Sequence, residues 1–158
     1  MAAACLSVVG LVGMRQAPMA SQRTVGVLAS KPDLAAADAD LEKRELMLQQ
    51  RRDAAVLLEQ FIRGQMTRHY WGHFAGSLTD LGLRSGKDWQ ATVTSTADGS
   101  GLLLMPKRGN EAYGAGVRRR GSRVVRWQCR GPLPMKSEQL SLMDGCPKGW
   151  QLIDAKQS

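Results

Sequence analysis

The sequence contains few of the residues from which enzymes build active sites. It has only two histidines and three cysteines among 158 residues. It contains no Cys-x-x-Cys pair, no Gly-x-Ser-x-Gly nucleophile motif and no His-Glu-x-x-His metal motif. His69 and His73 lie four residues apart on a predicted helix end, but no third metal ligand is near them in the sequence. We therefore expect a protein that is not an enzyme and has no metal or cofactor.

Long apolar runs are also lacking. Ala2–Met14 is uncharged but has only 13 residues, which is too short for a membrane-spanning helix and suits the core of a signal peptide. We interpret residues 1–30 as a signal, anchor or targeting segment, and we expect an exported or membrane-anchored protein that faces the periplasm or cell surface. Two alternatives stay open: a transit peptide, since no acidic residue precedes Asp33, and a cytosolic tail.

One of the three cysteines lies near the N-terminus, and the other two lie late in the sequence. Cys5 lies in the N-terminal apolar run, whereas Cys129 and Cys146 bracket a loop that contains proline and glycine. We predict a disulfide between Cys129 and Cys146, which would place the protein in an oxidising compartment. The alternative is a pair of free thiols in a reducing cytosol.

Acidic residues are almost absent from Gly101–Arg130, where eight basic residues face only Glu111 and the net charge is +7. Such a positive field attracts nucleic acid, anionic lipid or anionic polysaccharide, because binding releases their condensed counterions. The candidate polyanion-binding residues are Arg118, Arg119, Arg120, Arg123, Arg126 and Arg130, with Trp127 as a stacking platform for bases. The alternative is a solvated strand face that aids solubility.

A long helix is predicted in the first half of the chain. Residues 31–40 combine Pro32 with alanines and aspartates, which indicates a linker running into a helix start. The following helix has an apolar stripe that consists of Leu41, Leu48, Ala55, Ile62, Leu58, Phe61 and Met66. We expect this stripe to pack on the protein's own sheet. Alternatively, the first half of the helix projects and packs against neighbouring subunits or in a coiled coil.

After Leu83 the apolar spacing changes to a period of 2, which predicts strands. The alternating runs are Trp89–Thr94, Tyr113–Val117 and Val125–Cys129, Leu102–Met105 is a short unbroken apolar run, and turn-forming residues separate the four. The predicted fold is α+β, with a long N-terminal helix packed on a four-stranded antiparallel sheet and finished by a C-terminal disulfide loop.

The junction between helix and strands has a distinctive order. The helical pattern ends at Tyr70-Trp71, and Phe74 and the segment Ser77–Leu83 follow. We expect the apolar junction residues to be buried, namely Phe74, Leu78, Leu81 and Leu83. This layout, followed by strand-like runs and two late cysteines, resembles the passage from helix to globular head in cyanobacterial-type type IV pilins and pseudopilins. The resemblance covers roughly residues 50–150.

The resemblance implies a non-enzymatic pilin-like or pseudopilin-like protein of the cell envelope with a structural or assembly role. Its implied partners are other pilin-like or secretion-system subunits, and its N-terminus would associate with a membrane. The Gly-Phe-x-x-x-Glu pattern of these families does not occur in this sequence, so two interpretations stay open: a gene product longer than this chain, and a divergent relative that is soluble or merely anchored.

The expected domains are 1–30 as the targeting segment, 31–40 as a linker, 41–152 as the pilin-like domain and 153–158 as a tail. The second functional interpretation is a basic module that binds a polyanion such as DNA.

Overall fold

The computed structural model describes residues 31–133 and 144–157. Its elements are helix α1 (Lys31–Tyr70), a 3-10 turn (Thr79–Leu81), and strands β1 (Trp89–Thr96), β2 (Gly99–Pro106), β3 (Glu111–Arg120), β4 (Arg123–Pro132) and β5 (Gln151–Gln157). The predicted α+β class, with one long helix on an antiparallel sheet, is confirmed. The sheet has five strands and not the predicted four. The predicted targeting segment, residues 1–30, lies outside the described residues.

The strands follow one another across the sheet in chain order, and each neighbouring pair is antiparallel. Two tight turns set the register within the β1–β2 and β3–β4 pairs. The β1–β2 turn joins Thr96 to its partner Gly99, and the β3–β4 turn joins Arg120 to its partner Arg123. Gly121 in the second turn has a φ of 62°, which glycine adopts without the steric cost that a side chain brings.

Strand β5 is the element that the sequence analysis missed. It pairs with β4, and the ladder shifts register between Gln128 and Cys129, which leaves Ile153 without a cross-strand partner. Two apolar residues, Leu152 and Ile153, are adjacent at this register shift. Strand β5 therefore lacks the alternation of apolar and polar residues that indicates a half-buried strand in a sequence. The prediction of a tail at residues 153–158 is therefore wrong for residues 153–157, because they belong to the edge strand β5.

The predicted disulfide between Cys129 and Cys146 is confirmed, with the two Cα atoms 5.7 Å apart. Cys129 lies within β4, and Cys146 lies shortly before the first residue of β5. The covalent bond therefore holds the returning chain beside the strand with which it pairs.

Helix α1 begins at Lys31, so the interpretation of residues 31–40 as a linker was wrong. Proline is compatible with the first turn of a helix, because the N–H that it lacks has no helical partner there. The alanines that follow Pro32 have the highest helix propensity of any residue. Both features favour a helix that starts earlier than the linker interpretation assumed.

The helix packs on the sheet only through its C-terminal half. Every side chain from residue 34 to residue 46 is exposed. The buried apolar residues of the helix are Ala54, Leu57, Leu58, Phe61 and Ile62, and they form one core with Leu102, Leu104, Tyr113, Ala115, Val117 and Val124. The core therefore lies between β2–β4 and the second half of α1.

The predicted stripe packs on the sheet only in part. Leu58, Phe61 and Ile62 are in the core, whereas Leu41 and Leu48 are 55% and 52% exposed. At Leu41 the helix has passed the end of the sheet, because every side chain from residue 34 to residue 46 is exposed. The prediction that the whole stripe is buried was therefore wrong.

A buried glutamine holds the junction after the helix. The amide nitrogen of Gln65 donates to the carbonyl oxygen of Ala75 and to the hydroxyl of Ser100, both at 2.9 Å. Its amide oxygen accepts a hydrogen bond of 2.8 Å from the N–H of Ala75. Because Gln65 is fully buried, these bonds join the helix, the junction and β2 without competition from water.

The apolar residues of the junction are buried to different degrees. Phe74 is in the core, as predicted. Leu78, Leu81 and Leu83 are only partly buried and pack against the edge of the core. The junction is thus a half-exposed cap on the core, and the expectation of full burial holds for Phe74 alone.

Candidate functional site

An exposed apolar stripe runs along the part of α1 that projects from the sheet. Leu34, Leu41 and Leu48 are spaced seven residues apart, and their exposed fractions are 56%, 55% and 52%. Ala55, the next residue in the series, is exposed as well. We call these four residues the leucine stripe. With one apolar residue in seven, the leucine stripe is a narrow line of exposed apolar surface, since the seam of a coiled coil has two in seven.

An ion pair ties α1 to β3 where the helix leaves the sheet. The guanidinium of Arg51 donates to both carboxylate oxygens of Glu111, at 2.7 Å and 3.0 Å. The hydroxyl of Tyr113 donates to the same carboxylate at 3.0 Å. The hydrogen bond from Arg51 holds the pKa of Glu111 below its ordinary value, and burial raises the pKa of Tyr113 to about 12. This two-bond contact fixes the base of the projecting half of the helix.

The second candidate surface is the β3–β4 hairpin. We call it the arginine hairpin, and its cations are Arg118, Arg119, Arg120, Arg123, Arg126 and Arg130. Side chains alternate between the faces of a sheet, and cross-strand partners share a face. Val117 packs in the core beneath the helix. The register therefore places three arginines on the helix side, namely Arg119, Arg126 and Arg130, and three on the opposite side, namely Arg118, Arg120 and Arg123.

Half of these arginines have polar partners within the described chain. The pairs are Arg118 with Asp144, Arg119 with Asp98, and Arg130 with Gln151. These contacts link the hairpin to the β1–β2 turn, to the segment before β5 and to β5 itself. Asp144 and Asp98 offset the charges of Arg118 and Arg119, whereas Gln151 is neutral and leaves the charge of Arg130 unchanged.

Arg120 and Arg123 have a different environment at the tip of the hairpin. They are directly opposite each other in the ladder, and both are exposed. Like charges at directly opposed positions destabilise a pair of strands. An anion bound between the two guanidinium groups would remove that repulsion, so the tip is the part of the hairpin best suited to a polyanion.

Trp127 does not provide the predicted stacking platform. Its side chain is 4% exposed, and an indole buried to that extent cannot stack on a base. Its cross-strand partner is Gly116, which has no side chain and leaves room over the sheet for the ring. The assignment of Trp127 to ligand binding was therefore wrong.

The two histidines have separate contacts. The ring of His69 stacks on Phe74 with centroids 5.1 Å apart, and Nε2 of His73 lies 3.5 Å from Nη1 of Arg68. Within the residues that the structure describes, no group of three or more histidine, cysteine or carboxylate side chains is arranged to hold a metal ion. In the same residues no helix has an apolar stretch long enough to cross a membrane.

Comparison with known proteins adds no assignment, since no protein-family model, curated protein or solved structure matches this chain. The two surfaces described above are therefore the basis for a functional proposal.

Proposed function

We propose that this protein is a pilin-like or pseudopilin-like subunit of the cell envelope, with a structural or assembly role and no catalytic one. The chain is exported or anchored, its head faces the periplasm or the cell surface, and its partners are other pilin-like or secretion-system subunits. The N-terminal segment provides the membrane association.

The observation that carries the proposal is the projecting half of α1. In proteins, helices gain most of their stability from packing of an apolar face. The exposed leucine stripe offers such a face, and Leu34 and Leu41 lie where every side chain of the helix is exposed. A contact surface on a projecting helix is what a subunit needs in order to join an assembly.

The disulfide supports the proposed location. Cys129 and Cys146 are bonded. Structural disulfides persist in the periplasm and outside the cell, whereas cytosolic thiols are kept reduced.

The proposal is tested in the cells that produce the protein. An epitope tag after Ser158 allows its location to be followed by cell fractionation and by protease treatment of intact cells, and chemical crosslinking then reveals its neighbours. We expect an envelope fraction and crosslinked species larger than the monomer. A reduced, cytosolic monomer would contradict the proposal.

A matched pair of variants connects the assembly to the helix. Leu41→Glu places a charge in the leucine stripe, whereas Leu46→Glu makes the same change at a residue that is 45% exposed and lies outside the stripe. We expect Leu41→Glu to abolish the crosslinked species and Leu46→Glu to retain them. If both variants kept or both lost the crosslinked species, the leucine stripe would have no specific role in the assembly.

The arginine hairpin favours a second function, namely weak binding of a polyanion such as DNA without sequence preference. The opposed, exposed pair Arg120 and Arg123 supports it. Binding should weaken steeply as salt rises, and Arg120→Gln/Arg123→Gln should reduce both the affinity and the salt slope. The control is Arg63→Gln/Arg84→Gln, which removes the same charge from exposed positions elsewhere. If both double variants lost the same affinity, binding would depend on net charge alone and not on the tip of the hairpin.

A further inference from the structure

We infer that Tyr70 and Trp71, at the C-terminal end of α1, stack on the bases of a single-stranded nucleic acid. We call these two residues the aromatic pair. The tip of the arginine hairpin binds the phosphates of the same strand. The inference rests on the second proposed function, weak binding of a polyanion, and deepens it by naming the class of polyanion and the side chains that contact its bases.

The aromatic pair is fully displayed to solvent. Of the large apolar side chains in the described residues, Tyr70 and Trp71 are the most exposed, at 85% and 72%. The chain bends directly after them at Gly72, whose φ is 92°, and returns to the core at Phe74. The two rings are perpendicular, with centroids 6.0 Å apart. In such an edge-to-face pair each ring keeps at least one open face, and an open aromatic face stacks on any base.

A cleft of about 280 Å³ lies beside Trp71, between the last turns of α1 and the 3-10 turn. Its polar lining residues are Thr67, Arg68 and Asp80. Nη2 of Arg68 donates a hydrogen bond of 2.6 Å to the carbonyl oxygen of Asp80, which holds the guanidinium at the cleft. The edges of bases carry donors and acceptors that hydroxyl, guanidinium and carboxylate groups can meet. Because the carboxylate of Asp80 repels a phosphate, the cleft suits a base and not the backbone of the strand.

The aromatic pair and the tip of the hairpin lie at the same end of the molecule. At the start of β3, Glu111 binds Arg51 of the helix. In the last part of β3, Val117 is paired with Ser100, which binds Gln65 later in the helix. The helix therefore runs along the sheet in the same direction as β3. Its C-terminal end and the turn that follows β3 consequently share one end of the molecule, so one strand can contact both.

The surroundings of the aromatic pair favour a nucleic acid over a lipid surface. Segments that enter a membrane interface combine tryptophan with exposed aliphatic side chains such as leucine. From residue 63 to residue 77 no aliphatic side chain is exposed, since Met66 is half-buried and Ala75 is buried. The cations Arg120 and Arg123 at the same end favour an anionic strand over a neutral glycan.

The ligand is single-stranded because stacking on a protein side chain needs a base whose face is open. In a duplex the bases are stacked on one another, whereas in a single strand they can turn outward onto aromatic rings. Stacking is indifferent to base identity, which agrees with binding that has no sequence preference.

Titration of the full chain with three labelled strands, followed by fluorescence anisotropy, tests the inference. The strands are oligothymidine, an abasic strand with the same number of phosphates, and a duplex. We expect oligothymidine to bind roughly tenfold more tightly than the abasic strand, because only its bases can stack. Trp71→Ala should remove most of this difference and leave the affinities for the abasic strand and the duplex unchanged, whereas Trp71→Phe should largely retain it. Oligouridine of the same length then shows whether RNA or DNA binds more tightly.

Two control variants separate stacking from charge and from loss of apolar surface. Arg120→Gln/Arg123→Gln should weaken the binding of oligothymidine and of the abasic strand alike, because it removes contacts to phosphates. Val56→Ala removes an apolar side chain that is 58% exposed elsewhere on α1, and it should leave all the affinities unchanged.

Equal affinities for oligothymidine and the abasic strand would overturn stacking and leave polyanion binding intact. A preference for oligothymidine that persists in Tyr70→Ala/Trp71→Ala would overturn the assignment to the aromatic pair. If Trp71→Ala instead abolished cosedimentation with vesicles of anionic phospholipid and left oligothymidine binding unchanged, the pair would belong to a membrane contact. Absence of binding to every strand at low salt would overturn both this inference and the second function, whereas the pilin-like role is decided by its own test in cells.

Discussion

Gln65 is the residue on which the attachment of the helix to the sheet depends most. Its side chain satisfies both backbone groups of Ala75 and the hydroxyl of Ser100 in a site closed to water. Removal of the amide leaves the buried N–H of Ala75 without its partner, which costs about 1–3 kcal/mol, whereas Ser100 still donates to the carbonyl oxygens of Ala75 and Thr94.

Gln65→Ala should therefore lower the free energy of unfolding by roughly 3 kcal/mol, since a small cavity adds to the lost hydrogen bonds. Urea denaturation monitored by circular dichroism measures the change. The control is Gln60→Ala on the exposed side of the same helix, which should stay within about 0.5 kcal/mol of wild type. An equally small effect at Gln65 would show that the junction is not held by this side chain.

Glu111 makes stability depend on pH. Its pKa in the folded protein is lower than its ordinary value of 4.5, chiefly because of the hydrogen bond from Arg51. The folded state therefore favours the ionised carboxylate, and this stabilisation is fully present above the ordinary pKa. It is lost as the pH falls through the lower, folded-state pKa.

Glu111→Gln should consequently be less stable than wild type at neutral pH, and the difference should shrink as the solution is acidified below the ordinary pKa of 4.5. Urea denaturation at a series of pH values measures this convergence. Glu42→Gln, on the exposed part of the helix, should follow wild type throughout. A difference that is constant with pH would contradict an ionic role for Glu111.

At the scale of single residues, sequence reasoning identified the cysteine pair but missed Gln65 and Glu111. The cysteines stand out because two of only three bracket one loop. Gln65 lies in a polar stretch of the helix and gains its importance only from Ala75 and Ser100, which are distant in sequence. The burial of Trp127 was missed for the same reason, since it depends on packing across the sheet.

At the scale of elements, helix α1 has two functions along its length. Its second half provides the core, and its first half presents the leucine stripe. Leu58 is fully buried, whereas Leu41 is 55% exposed, although both belong to the apolar stripe predicted from the sequence.

Leu58→Ala should cost about 2–5 kcal/mol of stability, because it removes a buried side chain and leaves a cavity. Leu41→Ala should change the stability of the monomer by no more than about 0.5 kcal/mol. Thermal or urea unfolding at low protein concentration, where self-association is minimal, measures both. Similar costs at the two positions would show that the first half of the helix is packed on the head.

Helix α1 and strands β1, β3 and β4 have regular apolar periods, and β2 is an apolar run between turn residues, so the sequence alone predicts them. Strand β5 has no such pattern, because Leu152 and Ile153 are adjacent and the ladder shifts register there. Residues 31–40 contain both linker and helix-start residues, and only the structure shows that they belong to the helix. Which part of the apolar stripe is buried depends on where the sheet ends along the helix, and no local sequence pattern gives that position.

At the scale of the whole molecule, the disulfide determines whether the sheet is complete. Cys129→Ala/Cys146→Ala should lower the free energy of unfolding by about 3 kcal/mol, as expected when a loop of this size is no longer closed in the unfolded chain. Counting thiols in the denatured, unreduced full chain should give one, from Cys5. Three free thiols would contradict the disulfide and the oxidising location inferred from it.

Charge is the other property of the whole molecule. Most of the net charge of +8 comes from Gly101–Arg130. Three of the hairpin arginines in this segment bind polar side chains of neighbouring elements. Fewer hairpin arginines are therefore without an acidic partner than the sequence alone suggests. The ion pairs could not be inferred, since Asp98 and Asp144 are brought to the hairpin only by the fold.

Because β5 follows the other four strands in the chain and lies at the edge of the sheet, β4 is the outermost strand on that side until β5 is in place. Such a chain presents the unpaired backbone of β4 to its surroundings, and an open strand of this kind pairs readily with other chains. Oxidation of Cys129 and Cys146 retains β5 beside β4 and so closes that edge. The cysteine pair thus opposes edge-to-edge aggregation, and production in an oxidising compartment is expected to give more soluble protein than production in a reducing one.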